Sequence, residues 1–348
     1  MDMSAGLRLT GLDDFITPSQ ACIKPVELPE KDAANTTVSI QFEENGSYAE
    51  VGADGSRKPL AAAKITLNDC LACSGCITSA ESVLITQQSV DEFLSVLSSN
   101  PSMDNGGKAI IVSVSPQAWA SIAAKYNISG AEAMARMSGL FRQLGAVKVL
   151  DIALARDLSL VEACAEHLNR MNDATHKGPV LASACPGWVC YAEKTQHATL
   201  PHMSSVKSPQ QIAGTLVKGH VAGAAGLPAS RIYHVALMPC FDKKLEASRD
   251  DFVEQVTQSR EVDLVLTSAE VEELLEKKGI AFLSVPPAGL DNIWGETVPV
   301  ESTMWGSHGT SGAYAEQVFK HAARVLHGRT VVVKEPAGRA GAGGGAVA

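Results

Sequence analysis

The sequence predicts an α/β protein built on parallel sheets with helices covering both faces, and three observations carry that expectation. Apolar runs of strand length stand at 109–114, 147–152, 179–184, 232–238, 262–267 and 281–285. Continuous apolar runs, as opposed to alternating ones, fit strands buried on both faces, which is what a covered parallel sheet requires. Helical stretches at 131–144, 158–171, 209–225 and 268–278 separate most of these runs, giving the strand–helix alternation of the class. Two of the runs also end on a cysteine beside a proline, Cys185 before Pro186 and Cys240 after Pro239. Ligands in open α/β sheets bind outside the carboxyl ends of strands, so both thiols stand where a site is expected.

Composition narrows the functional classes. The 348 residues are 45% hydrophobic, enough for two or three domains with substantial cores. No apolar run approaches the roughly 18 uncharged residues of a membrane helix, and the start, Met1 to Arg8, lacks a basic region followed by an apolar core. A net charge of -9 without a block of Lys or Arg argues against nucleic acid or anionic lipid as the main partner. Proteins or small ligands are the expected partners, with no nucleic acid and no membrane insertion. Eight cysteines without an export signal read as metal ligands and buried thiols in a reducing compartment, cytosolic or nuclear.

From the amino end, the first 65 or so residues form an irregular arm with one hairpin, interrupted by Pro18, Pro25, Pro29 and the polar stretch 45–48. A short strand at 61–67 leads into a cysteine loop, and Thr78 with Glu81 matches a capping box directly after it. A helix opening there would direct free N–H groups at an anionic centre. Ser89 with Glu92 is a second capping box, opening a helix through Leu94 and Leu97 that stops near Pro101. The polar loop to Lys108 marks a boundary. The expected domains are a cysteine-bearing N-terminal arm and binding region at 1–105, a first α/β lobe at 106–200, a second α/β lobe at 201–334 and a low-complexity, disordered tail at 335–348. Gly341 and Gly343 superficially match a dinucleotide fingerprint, but no helix can follow them.

The chemistry concentrates on cysteine. Cys70, Cys73 and Cys76, each separated by two residues, let three thiolates converge from one loop onto three corners of an iron-sulfur cubane. Cys22 is the default fourth ligand, being the one other cysteine in the first 160 residues. A structural zinc site is the rival, although zinc usually takes paired C-x-x-C units or cysteine with histidine. From the residues alone, Cys185 and Cys240 are open between a shared metal site and two buried strand-end thiols. Cys164 and Cys190 read as core. No H-E-x-x-H and no G-x-S-x-G occurs, so neither a mononuclear hydrolase zinc nor a serine nucleophile of that type has support. Lys207 precedes Ser208 and Pro209, a good helix cap and first residue, and would equally suit a place beside an anionic cluster.

Taken together, the segment around Cys22, the Cys70–Cys76 loop, Cys185-Pro186-Gly187-Trp188, Lys207-Ser208-Pro209-Gln210-Gln211 and Met238-Pro239-Cys240-Phe241-Asp242-Lys243-Lys244 resemble the iron-only-hydrogenase-like family, and within it the cytosolic iron-sulfur assembly factors. The resemblance runs in family order over residues 12 to about 330. It implies an iron-only-hydrogenase-like fold, two lobes with parallel sheets flanked by helices, preceded by an irregular cysteine-bearing arm. It implies two 4Fe-4S clusters, one on Cys22, Cys70, Cys73 and Cys76, the other on Cys185, Cys240 and two later cysteines. No cysteine follows Cys240 here, so that second ligand set is incomplete in this sequence. Hydrogenases of the family carry a proton-relaying cysteine just before the first ligand of the second cluster, where this sequence has Ala184. An alanine relays no proton, so hydrogen turnover is not expected and no catalytic residue is assigned. The resemblance implies transfer of clusters from a P-loop ATPase scaffold complex to a WD40-containing targeting complex and apo-proteins. The alternatives are an iron-only hydrogenase and a hydrogenase-derived electron-transfer protein.

Overall fold

The computed structural model describes residues 39–42, 48–51, 57–59, 79–173, 175, 178–254, 257–294, 296–298 and 313–332. Cys22, Cys70, Cys73, Cys76, Thr78, the strand expected at 61–67 and the tail at 335–348 lie outside the described residues. The chain divides into two compact units, Met1–Ser79 and Ala80–Ala348. In the first, β1 (Ser39–Phe42), β2 (Tyr48–Val51) and β3 (Arg57–Pro59) make an antiparallel meander, Phe42 opposite Tyr48 and Val51 opposite both Ser39 and Arg57. Where one hairpin was expected in the arm, the meander contains two.

The second unit opens with α1 (Ser79–Gln87) and α2 (Val90–Ser99). Ser89 caps α2 as its sequence requires, its Oγ accepting from the Glu92 N–H at 3.2 Å. Val90 and Phe93 are fully buried, and the Phe93 ring meets Phe141 edge-on with centroids 6.3 Å apart. That burial attaches α2 to the α/β core, so the boundary between compact units falls at Ser79/Ala80 instead of 105/106.

The chain then runs β4 (Ala109–Val114), α3 (Pro116–Tyr126), α4 (Gly130–Gln143), β5 (Lys148–Asp151), α5 (Ala153–Asn172), α6 (Pro186–Thr195), α7 (Pro209–Thr215) and β6 (Ile232–Met238). It continues through α8 (Asp242–Ser248), the hairpin β7 (Val253–Glu254) and β8 (Ser259–Arg260), β9 (Leu264–Thr267), α9 (Glu270–Lys278), β10 (Leu290–Asp291), β11 (Thr297–Val298) and α10 (Tyr314–His327). α7 passes through a π-type segment, Leu216–Val221, before ending in Ala222–Ala224. The main sheet has the order β11-β10-β5-β4-β6-β9, parallel except for the antiparallel edge strand β11.

Every residue of β4, β6 and β9 is buried, as a sheet covered on both faces demands. Side chains alternate between faces along a strand. Tyr233, Val235 and Leu237 of β6 accordingly join the core under α2, α3, α4 and α9, while Ala236 and Met238 face the opposite cluster with Ala155 of α5 and Ala213 of α7. β4 and β6 pair along six positions, from Ala109 opposite Ile232 to Val114 opposite Leu237. Strands from 106–200 and from 201–334 therefore share one sheet among the described residues, and the division expected at 200/201 runs through it.

Two expected strands differ. The run at 281–285 is a 3-10 turn, Phe282–Ser284, in which Phe282 and Val285 are core residues under α4. Pro286 and Pro287 follow and withhold two ladder donors, so strand pairing waits until β10. The run at 179–184, between Pro179 and Pro186, makes one isolated bridge, Leu181 to Met203. Among the described residues no helix is long and apolar enough to cross a membrane.

The chain moves from β4 to β5 on one side and places β6 on the other side of β4. That reversal makes the carboxyl ends of β4 and β6 a topological switch point, where open α/β sheets bind ligands.

Candidate metal centre

Cys240 follows β6 at this switch point, separated from it by Pro239 alone. It is half-buried; burial pushes its thiol up, the Asp242 carboxylate and Cys185 add to the rise, and the Lys243 backbone N–H and charge oppose it. Such a thiol keeps its proton at neutral pH until a metal displaces it.

Cys185 reaches the same region from another direction. A residue before proline is pushed to extended backbone, and Cys185, at φ -88° and ψ 111°, stands as the N-cap of α6 with Pro186 in the first turn. Its side chain makes no capping bond, and its backbone N–H donates to Ser183 Oγ at 3.1 Å, so the thiol is left exposed. Gly187 is required here by close approach. A Cβ added to it would stand 2.9 Å from Asp242 Oδ2 and 3.6 Å from Cys185 Sγ.

The three sequence motifs of this unit converge on a buried polar core. Lys243 Nζ pairs with Glu246 Oε2 at 2.8 Å, and Ser208 Oγ donates to Glu246 Oε1 at 2.5 Å. Gln210 Nε2 donates to the Lys243 carbonyl at 3.1 Å, while its Oε1 is buried without a partner among the described residues. Lys244, 1% exposed, pairs with Glu270 Oε1 at 2.6 Å and donates to the Gln88 carbonyl at 2.5 Å. Buried charges are tolerated when paired and hydrogen-bonded in this way. Ser208 is the cap of α7 as expected, accepting from the Gln211 N–H at 3.4 Å. Lys207 points to Glu261 and, at 3.1 Å, to Thr215 Oγ1. Cys164 and Cys190 are buried, as expected of core residues.

A cleft of about 480 Å³ opens beside Cys185, its wall including Ser183, Ala184, Cys190, Ser208 and Glu246. Among the described residues no three Cys, His, Asp or Glu side chains are gathered closely enough to hold a single metal ion. A cubane spreads its ligands over several irons, so two thiols of separate elements, Cys185 on the cleft wall and Cys240 within its electrostatic reach, suit a cluster better than a mononuclear ion. Cys185 and Cys240 could hold such a cluster from two sides. The residues the sequence left unassigned are Asp242, Lys243 and Glu246. An acidic residue at a helix start is ordinary, and only the fold brings Asp242 over Gly187.

The family model described as iron only hydrogenase large subunit, C-terminal domain, matches residues 108–338. The chain is 48% identical over 339 residues to the cytosolic Fe-S cluster assembly factor narfl of Xenopus tropicalis, covering 95% of this chain and 71% of that protein. It is 48% identical over 332 residues to cytosolic iron-sulfur assembly component 3 of Pongo abelii, covering 93% and 69%. Among solved structures it is similar to the FeFe-hydrogenase HydA1 from Chlamydomonas reinhardtii, with a TM-score of 0.61 and 29% identity. That likeness covers 72% of this chain and 61% of the hydrogenase.

Proposed function

This chain belongs to the iron-only-hydrogenase-like family, on the branch of the cytosolic iron-sulfur cluster assembly factors, and from that premise we propose that it binds 4Fe-4S clusters and hands them on during assembly of cytosolic iron-sulfur proteins. The observation that carries this reading is the higher identity to the assembly factors, over a larger share of the chain, than to the hydrogenases. One cluster is assigned to Cys22, Cys70, Cys73 and Cys76, and a second to the site of Cys185 and Cys240. The donor is a P-loop ATPase scaffold complex and the acceptors are a WD40-containing targeting complex and apo-proteins, in the cytosol and the nucleus.

The hydrogenase-like fold favours a second reading, hydrogen turnover at the same cleft. Ala184 on the cleft wall speaks against it, because a methyl group offers no exchangeable proton beside Cys185. The test is complementation. In cells depleted of the endogenous factor, the wild-type chain is expected to restore cytosolic iron-sulfur enzymes, and the Cys70→Ala chain is not. Sustained hydrogen evolution by the reconstituted protein would overturn the proposal in favour of a hydrogenase. Reversible reduction at a defined potential without rescue would favour an electron-transfer protein.

A further inference from the structure

Gln88, at the junction of α1 and α2, reaches two other elements with its side-chain amide. Its Nε2 donates to the Lys244 carbonyl and to Ser248 Oγ, each at 2.8 Å, and its Oε1 accepts from the Val265 backbone N–H at 3.0 Å. We propose that Gln88 is a positioning residue for Cys240, clasping α8, the helix whose first turn holds that thiol, to the end of α1 and to the edge of the sheet. The proposal rests on the functional reading above for the use of the thiol and not for its placement.

Three observations carry it. Helix α8 has 7 residues, too few to persist on its own helical bonds, so bonds to other elements fix it. Gln88 and Lys244 are bonded in both directions, because the Lys244 ammonium donates to the Gln88 carbonyl at 2.5 Å. Ser248 Oγ closes the ring by donating to the Lys244 carbonyl at 2.8 Å. The Cys240 sulfur in turn accepts from the Lys243 backbone N–H, so a shift of α8 removes what holds the thiol. Finally, Val265 is fully buried in β9, an edge strand of the main sheet among the described residues. A buried N–H needs a partner, and Gln88 Oε1 supplies the bond that a further strand would have made. β9 also pairs with β6 from Val235 opposite Leu264 to Met238 opposite Thr267. Cys240 is therefore referred to one frame from both sides, through β6 before it and through α8 and Gln88 after it. Gln88 follows α1, which opens three residues past Cys76, so the clasp closes on the segment leading from the arm cysteines.

The bland reading is that Gln88 satisfies one buried N–H and adds to global stability alone. Selectivity among the cysteines separates the two roles. Cys164 in α5 and Cys190 in α6 are buried and report global opening, while the exposed Cys185 is the reference for intrinsic rate. The experiment is alkylation of the cluster-free full chain with iodoacetamide, the rate at each cysteine read by mass spectrometry, for wild type, Gln88→Met and Ser248→Ala. Methionine keeps the length of the side chain and removes its amide; alanine at 248 removes one acceptor and leaves the Val265 bond in place. Gln88→Met is expected to raise the Cys240 rate, relative to Cys185, about fivefold or more, the factor a lost hydrogen bond contributes to a local opening. Ser248→Ala is expected to raise it about twofold. Cys164 and Cys190 are expected to keep their wild-type rates relative to Cys185. An unchanged Cys240 rate in either variant would overturn the proposal, as would matching rises at Cys164 and Cys190 in Ser248→Ala, the milder change. Because the rates are read without a cluster, failure of Cys185 and Cys240 to take up iron would count against the functional reading at that site and not against the clasp.

Discussion

The two candidate cluster ligands of the second unit, Cys240 and Cys185, are held in opposite ways. Cys240 continues a strand buried along its whole length and paired on both sides, and it is followed by α8. Lys244 of that helix is locked to Glu270 and to the carbonyl of Gln88. Cys185 ends an extended segment that makes a single bridge, Leu181 to Met203. Its helix is tied across the surface by Glu193, which takes two bonds from the Arg249 guanidinium at 2.8 and 2.9 Å. One donor thus follows a fully buried strand, and the other stands exposed after a segment that makes a single bridge. Local opening takes the least free energy where buried contacts are sparse, so exchange at this site is expected to proceed from the Cys185 side.

Lys244→Ala should show the largest effect, because it leaves the Glu270 carboxylate partly buried and unpaired. A loss of about 3–5 kcal/mol in chemical denaturation is expected, and a loss below about 1 kcal/mol would break the contrast between the walls. Next comes Asp151, at the carboxyl end of β5, where burial raises the carboxyl to about 7. Its folded value lies above the unfolded one. The protonated group therefore contributes stability that is fully present below the unfolded value and is lost as pH rises through about 7. Asp151→Asn should stabilise the protein by about 2–4 kcal/mol near pH 8 and change little near pH 4, measured by denaturation at both. Gly187→Ala crowds the Asp242 carboxylate and should destabilise by about 1–3 kcal/mol, read as a fall in the thermal midpoint. Arg249→Ala is the smallest, at about 1 kcal/mol or less, because that ion pair lies at the surface, partly open to solvent. A larger loss there than for Lys244→Ala would invert the comparison.

Much of the core wall was legible in the sequence. The runs at 109–114 and 232–238 are β4 and β6 from end to end, because strands buried on both faces write their length as unbroken apolar residues. The Ser89 capping box was equally plain, its signal lying within four residues. The Cys185 wall was not legible. The apolar run at 179–184 has strand composition, but flanking prolines and the absence of a neighbour other than Met203 keep it out of the sheet. Helices α6 and α8, of 10 and 7 residues, are too short for periodicity to announce. The approach of Asp242 to Gly187 joins residues 55 positions apart and depends wholly on where β6 ends and α6 begins. The cysteines that define the arm, Cys22, Cys70, Cys73 and Cys76, rest on their spacing and on the family.

The most direct test of the central claim, that this chain carries iron-sulfur clusters for delivery, is iron and acid-labile sulfide per chain after anaerobic reconstitution, with Cys70→Ala beside the wild type. Equal amounts of iron and sulfide are expected, falling by about four of each when Cys70 is removed. Tightly bound zinc without labile sulfide, or iron unchanged by Cys70→Ala, would contradict it.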